Sequence, residues 1–145
     1  MSDQFELNAE VRTDLGKGAS RRLRHFDGRV PGIIYGGDKA PQPLSLIRKD
    51  LEKALENEAF FSHVLIVNIG KHKEKAILKD MQRHPAKNRV THVDFMRIDD
   101  NVAIKVHVPI HFLNESTCHG VKVQGGMIQH QATDIEVQCL PADIP

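Results

Sequence analysis

The 145-residue chain contains no tryptophan, a single tyrosine (Tyr35) and only two cysteines, Cys118 and Cys139. The cysteines stand far apart and in no paired motif. The default reading is therefore a reducing compartment with free thiols, a disulfide between the two being left open. No apolar run approaches the roughly 20 residues needed to cross a bilayer, and the N-terminus lacks the basic-then-apolar plan of a signal peptide. These absences point to the cytoplasm and to no membrane partner. No acid–base pair and no nucleophile beside a base stands out, so neither catalysis, a cofactor nor a small-molecule substrate is expected. A large net charge is missing too, the formal value being +1.

That small charge is the difference between two unlike parts. Residues 1–98 carry 18 Lys and Arg against 13 Asp and Glu, a net +5, whereas residues 99–145 carry 2 against 6, a net −4. The asymmetry is a boundary signal near Asp99-Asp100-Asn101, and it assigns a polyanionic partner to the first part. The length supports one full domain, 1–98, and a smaller piece, 99–145, which is short for a core of its own. Because the chain ends in the linker-like Leu140-Pro141-Ala142-Asp143-Ile144-Pro145, the second domain is expected to be incomplete, truncated at its C-terminal side.

Alternation of apolar and polar residues predicts strands at 5–11, 30–35, 44–47, 63–69, 75–79 and 90–98. Gly70-Lys71-His72 reads as a hairpin turn. A helix is expected over 48–56, with Leu51, Ala54 and Leu55 on one side, and a second one begins near Gly18. Beyond residue 101, alternating Val102, Ile104, Val106, Val108 and Ile110, then Met127, Ile128, Ile135 and Val137, extend the β pattern. The fold class is mainly β with short helices (α+β), an antiparallel barrel or a strongly curved sheet.

The stretch Asp14–Arg24 concentrates cations, glycines and one hydroxyl. As a helix it puts Lys17, Ser20, Arg21 and Arg24 on one stripe and Ala19, Leu23 and Phe26 on the opposite, core-facing stripe. Such a cationic front suits a phosphate backbone, and a solvated helix face is the other reading. A nucleotide-binding loop does not fit. Lys17 is followed by Gly18 rather than Ser or Thr, and Val11 occupies the place of that motif's first glycine.

Four runs in order, RTDLGKGASRRLR at 12–24, VPGIIYGG at 30–37, DMQRHP at 80–85 and HVDF at 92–95, closely resemble the bacterial large-subunit ribosomal proteins that bind 5S rRNA. The acidic segment after residue 98 is similar to the start of the second domain of the longer members, the general stress protein Ctc type. The resemblance implies a six-stranded β-barrel lodged against the loop E region of 5S rRNA in the large ribosomal subunit, with neighbouring ribosomal proteins as further partners. The free protein is expected to be a monomer. Carried over position by position, the RNA-binding residues are Arg12, Lys17, Ser20, Arg21, Arg22, Arg24, Tyr35, Gln82, Arg83, His84, His92 and Asp94. The cations fix register on phosphates, while Gln82 and Asp94 suit base edges. A core role for Tyr35 and a turn-shaping role for His84 stay open beside this.

Two rival readings remain. His107, His111, Cys118 and His119 raise a metal site, but four-residue spacing gathers ligands on a helix, and this stretch reads as a strand. The acidic β segment equally suits a protein-interaction or stress-related module.

Overall fold

The computed structural model describes residues 5–145, so the first four residues of the 1–98 unit lie outside the described residues. Strands β1 (Phe5–Val11), β2 (Arg29–Tyr35), β3 (Gln42–Ile47), β4 (Leu65–Ile69), β5 (His72–Arg83) and β6 (Val90–Arg97) close into a barrel in the order β1-β3-β2-β6-β5-β4. Helix α1 (Lys17–Phe26) connects β1 to β2, and α2 (Arg48–Leu55) with a 3-10 turn at Glu58–Phe61 connects β3 to β4. The barrel is mixed rather than antiparallel. β1 runs parallel to β4, from Phe5 opposite Leu65 to Ala9 opposite Ile69, and β2 runs parallel to β6. Alternation reports which face of a strand is buried and carries nothing about strand direction, which explains the difference. Parallel neighbours need long connections, and α2 with its adjoining elements supplies them.

The interior is filled by alternate residues of every strand. Leu7 and Ala9, Val30 and Ile34, Leu44 and Leu46, Leu65, Val67 and Ile69, and Val93 and Phe95 form one cluster, which Leu51, Leu55 and Phe60 cap. Gly32 lies inside, between β3 and β6. A Cβ placed there would come 2.9 Å from Val93 Cγ2 and 3.1 Å from Leu46 Cδ1, so the strands approach where a side chain has no room.

Two bulges interrupt the β5–β6 ladder. The register jumps from Leu78 opposite Phe95 to Asp80 opposite Asp94, and again from Gln82 opposite His92 to Arg83 opposite Val90. The extra residue Lys79 shifts the inward position from Asp80 to Met81, which packs on the core, while Asp80 and Gln82 are exposed. On β6 the extra residue Thr91 lets Val90 and Val93 both be buried, and its hydroxyl donates to the Gln82 carbonyl at 3.1 Å.

The turn after β2 is tied to β5 and β6 by a nearly buried ion pair. Arg97 donates to Glu74 and also to the Gly36 and Ala40 carbonyls, at 3.3 and 3.2 Å, while Lys39 donates to Glu74 at 2.7 Å. The Arg97 and Glu74 side chains are 9% and 12% exposed. Burial opposes ionisation of Glu74, but the hydrogen bonds and charges of Lys39 and Arg97 outweigh it and hold its carboxyl below the ordinary 4.5.

Beyond residue 98, β7 (Ile104–Pro109) and β8 (Asp134–Cys139) form a two-stranded antiparallel sheet, with a short helix α3 (His119–Lys122) between them. A lone hairpin is marginal in water. This one borrows core from the barrel, since Ile98, Ile104 and Val106 cluster with Ile77 of β5. Met127 and Ile128 lie outside strands, and Met127 is 95% exposed. The two are neighbours rather than alternating, and they follow Gly125, whose φ of +64° turns the chain. Cys118 is exposed, Cys139 is half-buried, and both are free thiols.

Gly32→Ala is expected to lower barrel stability by about 1–3 kcal/mol through overpacking against Val93 and Leu46, read as a lower urea midpoint. Glu74 stabilises the fold fully above its ordinary carboxyl value and loses that contribution as pH falls through its lowered one. Glu74→Gln should therefore be less stable than wild type at pH 7, with the gap closing on acidification, as checked by melting temperature across pH 3–7.

Candidate nucleic-acid interface

Gly16, with a φ of +107°, caps the start of helix α1, whose first turn holds no acidic side chain. Ala19 is buried and Leu23 half-buried, which seats the helix beside β2. Phe26 departs from the expected core-facing stripe and is 83% exposed. The helix ends there, and Gly28 with φ +60° leads the chain back into β2. Phe26 lines an open groove with Val11, Leu23 and the Arg12–Asp14 segment instead.

The expected binding residues fall into two groups. On α1, Lys17 and Arg21 are exposed, and no carboxylate pairs with either among the described residues. Arg22 pairs with Asp14 at 3.3 Å on the exposed surface. Arg12, at the start of the loop after β1, donates to Ser20 Oγ at 3.2 Å and to the Asp14 carbonyl at 3.0 Å, joining that loop to the helix. Ser20 accepts there, so its own O–H is left to donate elsewhere. The half-buried Arg24 has its carbonyl capped by Arg48 Nη2 at 2.6 Å, which fixes the end of α1 to the start of α2.

The second group lies on the barrel's outer face. His92 and Asp94 share one face of β6, with His92 Nδ1 2.7 Å from Asp94 Oδ1. Gln82 is the register partner of His92, Asp80 is that of Asp94, and β2 brings Ile33 beside Asp94. Tyr35 is half-buried on the same side. Burial first, then the charges of Asp94 and Asp80, raise its phenol above the ordinary 10.0. Arg83 donates to Asn88 Oδ1 at 3.2 Å across the β5–β6 turn. His84 shapes that turn. Its Nδ1 accepts from the Ala86 and Lys87 amides at 3.1 and 3.3 Å, which leaves the ring proton on Nε2 as an outward donor.

Arg24 and His84 meet at one hollow, so the end of the helix adjoins the β5–β6 turn. His25, Arg48, Lys87 and Arg89 line the same hollow and lie outside the expected set. A composition count of the 83–89 segment would have flagged Lys87 and Arg89, but nothing in the sequence brings Arg48 to them. As for a metal centre, no group of three His, Cys, Asp or Glu side chains comes together as a ligand set among the described residues. His107 instead pairs with Asp134 at 3.3 Å and His111 with Glu58 at 2.7 Å.

Comparison with known proteins matches residues 7–95 to the Ribosomal L25p family and residues 103–145 to the C-terminal domain of ribosomal protein TL5. Among curated relatives, the large ribosomal subunit protein bL25 of Ectopseudomonas mendocina is 59% identical over 141 residues, covering 97% of this chain and 70% of that protein. The proteins of the same name from Hahella chejuensis and Cellvibrio japonicus are 53% and 54% identical over all 145 residues, covering 70% and 71% of their own lengths.

With a single tyrosine and no tryptophan, the phenol can be titrated cleanly by ultraviolet absorbance. Asp94→Asn is expected to move the Tyr35 midpoint downward but not back to its ordinary value, because burial is the larger cause. An unchanged midpoint would separate Tyr35 from the Asp94 charge.

Proposed function

The chain belongs to the Ribosomal L25p family, and on that premise we propose that it is a structural protein of the large ribosomal subunit that binds the loop E region of 5S rRNA. It works in the cytoplasm as part of the ribosome, in translation, and performs no catalysis. The observation that carries the reading is the meeting of the end of the cationic helix with the β5–β6 turn at one hollow, next along β6 to the polar His92–Asp94 face.

The division of labour follows from the chemistry of each surface. Lys17, Arg21 and Arg24 meet phosphates, which position the protein without reading sequence. Arg12 and Arg22 widen that cationic field, and Ser20 donates to a phosphate or a 2′-hydroxyl. On the barrel, Asp94 would repel a phosphate but accepts from a guanine or cytosine amino group. His92 occupies one of its oxygens and leaves the other for the base. Gln82 offers both a donor and an acceptor, and the Tyr35 ring can stack or donate through its hydroxyl. Duplex RNA hides its major-groove edges, so an internal loop with non-Watson–Crick pairs is the kind of target that suits such a face.

Residues 99–145 carry the opposite charge, −4, and expose Phe112, Leu113 and Val123. That combination suits neighbouring proteins of the large subunit rather than RNA.

The test is binding to a loop E hairpin, with a mismatched duplex of equal length as control. Arg21→Ala should weaken binding to both RNAs and flatten the salt dependence by about one phosphate contact. Asp94→Ala should weaken the hairpin complex and spare the duplex. Equal losses on both RNAs would count against base reading by Asp94.

A further inference from the structure

Around the barrel, six cations are neutralised locally among the described residues. Arg22 faces Asp14, Arg29 faces Glu10, Lys39 and Arg97 face Glu74, Lys73 faces Glu6, and Lys75 faces Asp100. Others, Lys17 and Arg21 among them, make no such pair, and at one place several cations gather. Between the end of α1, the start of α2 and the β5–β6 turn, Arg24, His25, Arg48, His84, Lys87 and Arg89 line a hollow of about 110 Å³, and no carboxylate lines it.

We infer that this hollow seats a phosphate of the RNA strand passing α1, with Arg48, Lys87 and Arg89 as phosphate ligands beyond those the motifs assign. The inference rests on the RNA-binding reading above and deepens it. Cations gathered without a counter-charge repel one another, a cost that an arriving phosphate reverses. The space is on the scale of one phosphate group, since each water-sized occupant takes roughly 30 Å³.

Part of its wall is held in place. Arg48 is fixed by its bond to the Arg24 carbonyl at 2.6 Å, and the His84 ring by two backbone amides. The His84 backbone N–H closes the turn onto the Arg89 carbonyl at 2.8 Å. Preorganised donors lose little freedom on binding. Continuity sets the occupant. Arg24 belongs to the cationic helix, and Thr91 at the hollow's edge bonds to Gln82 of the barrel face. A polyanion touching both surfaces passes over the hollow, which favours a backbone phosphodiester over a free anion.

Lys87 and Arg89 are exposed, and their side chains make no hydrogen bond or ion pair among the described residues, so they can be changed without disturbing the fold. The experiment measures the affinity of the full chain for the loop E hairpin across a salt series. It compares wild type, Lys87→Gln/Arg89→Gln, and Lys71→Gln/Lys122→Gln, the last removing equal charge far from the hollow. The first variant is expected to lower the slope of log K against log salt by about two, with the control variant close to wild type. An unchanged slope, or an equal fall in the control, overturns the phosphate seat while leaving hairpin binding intact. Failure of the wild type to bind the hairpin overturns the RNA reading and the seat together. Calorimetry with inorganic phosphate alone should give no saturable binding. Saturable binding lost in the first variant would reassign the hollow to a free anion and overturn the RNA seat.

Discussion

The close approach of β2 to β6 is the constraint on which the rest depends. At Gly32 the interior has no space for a Cβ, because Val93 and Leu46 already fill it. Glycine lets those strands pair in parallel without overpacking while Val30 and Ile34 on one and Val93 and Phe95 on the other share a single core. Closure there, with the second parallel pair between β1 and β4, leaves the barrel no free edge. It also sets β6, and thereby His92 and Asp94, beside the strand that ends in Tyr35.

A closed barrel of alternating strands would by itself present an arbitrary outer face. The two bulges on β5 and β6 decide what that face holds. Without the extra Lys79, strict alternation would carry Asp80 and Gln82 inward, where an unpaired carboxylate costs several kcal/mol. With it, Met81 takes the interior place and the polar residues line up across from Asp94 and His92. Core packing and the polar outer face are thus two faces of one irregularity.

Helix α1 joins that surface through backbone satisfaction rather than through a large apolar contact. Its buried contribution is mainly Ala19, too little to fix an orientation by hydrophobic burial alone. Arg48 capping the Arg24 carbonyl and Arg12 bridging to Ser20 supply the remaining restraint. Both restraints use arginines that a charge count would assign to RNA. Lys17 and Arg21, and Lys87 and Arg89 at the hollow, make no side-chain hydrogen bond or ion pair among the described residues.

Much of this was legible in the sequence, and particular residues show where legibility stopped. Alternation at Leu65, Val67 and Ile69 and at Val93 and Phe95 located strands and their buried faces, because the two-residue period is a local property of the backbone. The spacing of Leu51 and Leu55 located α2 in the same way. The charge split near residue 99 and the motif runs mark the cationic helix and the HVDF strand. Three things lay beyond local pattern. Strand direction was missed, since parallel and antiparallel strands alternate alike. Phe26 was assigned to a core that its helix does not reach, because where a helix ends relative to a wall is a distance between elements. The gathering of Arg48, Lys87 and Arg89 at the end of α1 joins segments about 40 residues apart. Periodicity and local charge, set by neighbours along the chain, determined the elements and the sign of their surfaces. Pairing, closure and the meeting of distant cations were decided by packing alone, because they depend on which segments exclude water from one another.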